Sequence, residues 1–164
     1  MADEKEKKGY RKLFFAFFFI LITTVALCVY FCLEAKRLSN FNVDLFVICN
    51  ESTSCTAEGN DGMVKVADDN LKVLKSVYDL SHGKYTFGHP KADGRKVSFE
   101  FQCHKEKWTL DVEEIGSDRI RLNLQGPRNY EIYVANRAEE FDDFAQIASA
   151  KGSVTPNKLL KAKE

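Results

Sequence analysis

LFFAFFFILITTVALCVYFCL, Leu13 to Leu33, is a run of 21 residues without a charge. A helix rises about 1.5 Å per residue, so a run of this length covers roughly the 30 Å hydrocarbon core of a bilayer. It reads as a membrane span, and the lipid bilayer is therefore the first partner the chain implies, through residues 13–33. Ala16 and Thr23 stand seven apart and offer a small-residue packing face, but there is no Gly-x-x-x-Gly, and simple anchoring is the better reading.

Working outward on the N-terminal side, residues 1–12 carry Lys5, Lys7, Lys8, Arg11 and Lys12 against Asp3, Glu4 and Glu6. The first residues beyond the span offer only Lys36 and Arg37. An excess of Lys and Arg keeps a flank in the cytoplasm, whereas Asp and Glu count for little. The N-terminal tail is thus expected to be cytoplasmic and the C-terminal domain extracellular or lumenal. A cleaved signal peptide competes with this reading. Signal h-regions run about 7 to 15 residues and end in a small-x-small site, but this run is longer and finishes in Tyr30, Phe31, Cys32, Leu33 and Glu34. An uncleaved signal anchor, giving a type II single-pass protein, fits better.

On the other side, residues 34–42 read as a juxtamembrane linker, 43–152 as a β-rich ectodomain and 153–164 as a disordered tail. Val43 to Cys49, VDLFVIC, is β-branched and apolar and reads as a buried strand. Residues 50–62 are rich in Ser, Thr, Asn, Asp and Gly, which favour turns, and read as a loop. That loop holds the chain's only Asn-x-Ser/Thr triplet, at Asn50, an expected glycosylation site. Between Met63 and Leu80, Leu71, Leu74 and Tyr78 sit at helical spacing behind Asp68 and Asp69. The stretches MVKV and LKVL around residues 67–70 also read as a hairpin, which Val and Tyr favour, and the hairpin is the expectation.

From Lys84 the period is two. After a short strand at Tyr85 to Phe87 and a turn at Pro90, Asp93 and Gly94, Val97, Phe99, Phe101 and Cys103 alternate with Ser98, Glu100 and Gln102. Trp108, Leu110 and Val112 repeat the alternation, as do Ile120, Leu122 and Leu124, then Tyr130, Ile132 and Val134. The short turns between them favour antiparallel neighbours. The spacing then turns helical: Phe141, Phe144, Ala145 and Ala148 form one stripe, Asn136 and Glu139 a capping box, and Gly152 a stop. The expected fold class is α+β and β-rich: an N-terminal transmembrane helix, then one antiparallel meander or barrel-like sheet packed by a C-terminal amphipathic helix over residues 137–150. This order of elements is similar to that of the pleckstrin-homology superfold, in architecture alone, and such likeness carries no function.

Cys49, Cys55 and Cys103 lie outside the span, an odd number in a compartment that favours disulfides. Cys49 with Cys55 is the local pairing and the expected one; Cys103 joined to either is the alternative. A spare Cys103 reads as a small buried hydrophobe. His82, His89 and His104 form no close pair and no Cys-x-x-Cys occurs, so no metal site is expected. Cys103 and His104 are adjacent, but side chains adjacent on a strand point to opposite faces. No phosphate loop or nucleophile elbow is present, and the acidic pairs Asp68-Asp69 and Asp142-Asp143 lack the Asp-x-Asp spacing that many type II glycosyltransferases carry. No catalytic residue and no cofactor is therefore expected. Beyond the tail, 19 basic face 21 acidic residues, a balance that gives no footprint for nucleic acid. The expected function is a non-catalytic ectodomain that binds a protein or glycan partner at a cell or virion surface. The alternative is a cytoplasmic, membrane-tethered lipid- or peptide-binding module of reversed topology, with Lys91, Arg95 and Lys96 as its basic candidates.

Overall fold

A computed structural model of the chain describes residues 2–59, 62–80, 94–116, 118–135 and 138–150. Two compact units divide at residue 40. A single helix, α1 (Ala2–Glu51), supplies all of the first unit's described structure and continues into the second.

In the first unit α1 is long and apolar enough to cross a membrane, and its most apolar window is wholly exposed. Side chains from Leu13 to Leu33 are exposed, Phe14, Phe17 and Phe19 among the most so. The two threonine hydroxyls of this stretch are internally satisfied: Thr23 and Thr24 donate to the carbonyls of Phe19 and Ile20, each at 2.9 Å. An apolar medium demands such pairing, because water is not there to supply it.

The second unit starts where α1 becomes amphipathic. Phe41, Asp44, Leu45, Ile48 and Cys49 are buried, while Val43 and Phe46 are exposed. Their spacing of three and four is helical, and it overturns the strand expected at Val43 to Cys49. Residues 34–42, read as a linker, are likewise helical. β-Branched residues cost a helix only tenths of a kcal/mol each, and burying one complete stripe outweighs that.

After α1 come β1 (Ser52–Gly59), β2 (Gly62–Lys65), α2 (Asp68–Leu80), β3 (Lys96–Cys103), β4 (Glu106–Ile115), β5 (Arg119–Gln125), β6 (Tyr130–Ala135) and α3 (Ala138–Ser149). The expected loop over 50–62 is thus largely a strand, and the expected hairpin over Met63 to Leu80 is a short edge strand followed by a helix. In α2 the stripe Leu71, Leu74 and Val77 is buried, with Asp68 and Asp69 in the first turn where the helix dipole favours them. The expected strand at Tyr85 to Phe87 and the Asn136 cap lie outside the described residues.

The strands form one antiparallel sheet in the order β2-β1-β3-β4-β5-β6; β3 to β6 run as a meander, and β2 and β3, whose connection holds α2, flank β1. It is open, ending in β2 and β6, so the barrel-like part of the expectation is corrected. Rows of residues cross it in register. One is Ala57, Phe99, Leu110, Leu124 and Tyr130, all buried. On the same face Phe99 meets Phe144 of α3 edge-on at 6.4 Å, and Tyr130 meets Phe41 of α1 at 6.0 Å. In α3 the buried stripe is Phe141, Phe144, Ile147 and Ala148, with Ala145 at its half-buried margin. Arg95 clamps α3 to the sheet: it donates to Glu114 at 2.6 Å and Asp142 at 2.8 Å and lies 4.7 Å over the Phe141 ring. The Arg95 hydrogen bonds hold the Glu114 carboxyl below its usual range.

Candidate functional site

The residues singled out in the sequence converge where α1 ends and β1 begins. Asn50 is exposed in the last turn of α1, its amide donating to the Phe46 carbonyl at 2.7 Å, and the Ser52 hydroxyl donates to the Ile48 carbonyl at 2.6 Å. Both groups close the carbonyl end of the helix, which has no partners of its own. Cys49 and Cys55 are buried and not joined in a disulfide, one on α1 and the other on β1. Burial pushes the Cys55 thiol well up, and the neighbouring Cys49 pushes it further. The two sulfurs therefore sense one another across the junction.

Cys103 and His104 stand beside them in a way the sequence does not announce. β3 and β4 are joined through a two-residue turn at His104 and Lys105. His104 has φ of +56°, the left-handed region that non-glycine residues rarely enter. Leaving the strand, it swings its ring back, and Nδ1 lies 3.3 Å from Cys103 Sγ. Its Nε2 lies 3.4 Å from Glu51 of α1. The strand rule that separates neighbouring side chains holds up to Cys103 and fails at the turn. Burial pushes the Cys103 thiol up, and a hydrogen bond with Ser52 offsets part of that rise.

The second candidate is the face of the sheet opposite α3. Lys96, Glu113, Arg121 and Tyr133 form one cross-strand row, and Ser98, Asp111, Asn123 and Glu131 the next. Lys96 meets Asp111 at 2.9 Å and Glu113 at 3.8 Å, and Ser98 donates to Asp111 at 2.6 Å. Arg121 is bonded to Glu113 and reaches Glu131 at 3.2 Å, and the Tyr133 hydroxyl donates to Glu131 at 2.7 Å. Burial pulls the Arg121 guanidinium down, and the hydrogen bond and charge of Glu113, with Tyr133 and Glu131, together more than offset it; burial likewise pushes the Tyr133 phenol up. Arg121 Nε is buried with no hydrogen-bond partner among the described residues. The alternation in β3 to β6 marks these residues as outward; which of them pair depends on register, and no feature of the linear pattern gives that.

Among the described residues no group of three His, Cys, Asp or Glu side chains is arranged to hold a metal ion. His104 shows why: its two nitrogens face Cys103 and Glu51 from opposite sides of the ring, so the three cannot converge on one ion. No protein-family model matches the chain, and no curated protein or solved structure matches it either.

Proposed function

We propose that this chain is a type II single-pass membrane protein whose non-catalytic β-rich ectodomain binds a protein or glycan partner at a cell or virion surface. The observation that carries the reading is the polar face of the open sheet. Helix contacts at Phe99 and Tyr130 fall on the other side. The polar face carries paired carboxylate, guanidinium, ammonium and hydroxyl groups held in place by cross-strand bonds, most of them half-buried and Glu113 and Tyr133 buried. Preorganised groups of this kind recognise a polar partner with little ordering cost. The buried Arg121 Nε is a donor without a hydrogen-bond partner among the described residues.

The anchor in this reading is the apolar half of α1, with the basic excess of residues 5–12 holding the N-terminus in the cytoplasm. A glycan on Asn50 and a Cys49–Cys55 bridge belong to the same proposal, since both need the outer compartment.

Photo-crosslinking tests it on the full chain at the surface of expressing cells. A photoreactive side chain in place of Asn123, on the polar face, is expected to yield a discrete adduct, whereas one in place of Gln146, exposed on α3, is not. Equal labelling from both positions, or none from either, sinks the proposed face.

A further inference from the structure

The group at the β3–β4 turn has an order that a buried small hydrophobe does not need. Glu51, at the end of α1, lies at Nε2 of His104 and favours the tautomer protonated there. That leaves the Nδ1 lone pair aimed at the Cys103 thiol, 3.3 Å away. Ser52 of β1 bonds the same sulfur, and the carboxylates of Glu51 and of Glu106 on β4 are the charges that bear on it. The imidazole is 65% exposed while Cys103 is 4% exposed, so the ring covers the sulfur and is itself open to solvent. His104 is the one described non-glycine residue at positive φ, a conformation of the kind that costs energy and concentrates at working sites.

We propose that Cys103 is a base-assisted thiol that exchanges with low-molecular-weight disulfides, with His104 accepting its proton and Glu51 holding the imidazole in position. The sulfur of Cys103 bonds to one sulfur of the incoming disulfide as the S–S bond breaks. The thiol proton passes to Nδ1 of His104 and from there to the departing thiolate. The products are a mixed disulfide on Cys103 and one free thiol, and the incoming disulfide is the only oxidant. Burial favours the neutral thiol, so a base placed to take the proton as attack proceeds assists the reaction. The inference stands apart from the binding function proposed above and holds in either compartment.

The test uses the full chain in detergent micelles, reduced, freed of reductant and then exposed to oxidised glutathione, with adducts located by peptide mass spectrometry. Cys103 is expected to be modified roughly tenfold faster than Cys49 or Cys55, the other buried thiols of the same unit. His104→Asn, which suits the left-handed turn and has no base, is expected to slow Cys103 roughly tenfold, and Glu51→Gln about threefold. The pH profile separates the base from mere exposure. Base-assisted attack levels off with rising pH, whereas an unassisted thiol keeps gaining about tenfold per pH unit below its own pKa. A Cys103 rate equal to that of Cys49 and Cys55, or a profile that climbs without a plateau, overturns the proposal. The profile of the unsubstituted chain decides the matter even if His104→Asn does not fold.

Discussion

Asp44 is 5% exposed on α1, and a carboxylate so placed survives only by being fully bonded. It accepts the Tyr130 hydroxyl at 2.6 Å and pairs with Arg128 from the β5–β6 turn, so one side chain ties the helix to the far side of the sheet. Removing only the hydroxyl, Tyr130→Phe, leaves the carboxylate short of a partner and is expected to cost about 1–3 kcal/mol in denaturant unfolding. The same contact has an alkaline signature. Burial first, then the hydrogen bond to Asp44, pushes the Tyr130 phenol from 10 up to about 12. The folded state thus holds this proton more tightly than the unfolded chain does. The stabilisation is complete below the unfolded value of 10 and is lost as pH rises from there through about 12. An alkaline titration of stability is expected to lose this component in Tyr130→Phe; an unchanged curve would exclude Tyr130 as its source. Nothing in the string VDLFVIC marked Asp44 as an anchor, because its partners lie more than 80 residues away.

At the level of elements, β3 to β6 were legible because each strand has one buried and one wet face, and the alternation of Val97, Phe99, Phe101 and Cys103 is that asymmetry written out. α3 was legible for the corresponding reason at period 3.6. The end of α1 was not. Taken alone, the seven residues VDLFVIC fit either period, and what decides is the helix already running into them from its apolar half. The two readings differ in what they bury: a strand that buries Leu45 also buries Val43, whereas the helix buries Ile48 and exposes Val43. Ile48→Ala is accordingly expected to cost about 2–4 kcal/mol and Val43→Ala less than about 0.5. Comparable losses at both sites would argue for the strand. The β5–β6 turn makes a second prediction. A Cβ on Gly126 would lie 2.5 Å from the Trp108 ring, beneath which the backbone passes. Gly126→Ala is expected to cost about 1–3 kcal/mol through displacement of the indole, visible as a changed Trp fluorescence maximum. The Cys103–His104 pair was misread for a related reason: a strand rule was carried one residue into a turn.

For the whole molecule, if the apolar half of α1 is an anchor, the decisive quantity is which side of the membrane the unit beginning at residue 41 occupies. The apolar half of α1 is compatible with an anchor, but its length says nothing about direction. Direction rests on charge: five basic residues precede the span and two follow it, and one of the two, Arg37, already lies 3.7 Å from Glu34. If that asymmetry sets the orientation, protease added to sealed vesicles from expressing cells removes the N-terminal tail and spares the folded unit. Asn50→Gln then abolishes a glycosidase-sensitive mass shift. Replacing Lys5, Lys7, Lys8, Arg11 and Lys12 with Gln shifts the basic excess to Lys36 and Arg37, so a substantial fraction of the chains is expected to invert, become protease-sensitive and lose the glycan. Digestion of the folded unit in the unsubstituted chain, without a glycan, would place it in the cytoplasm. The Asn50 and Cys49–Cys55 proposals would fall with the orientation, because both depend on the outer compartment. The thiol chemistry at Cys103 would not, since glutathione disulfide reaches both sides of a membrane and the Glu51–His104–Cys103 geometry belongs to the fold alone.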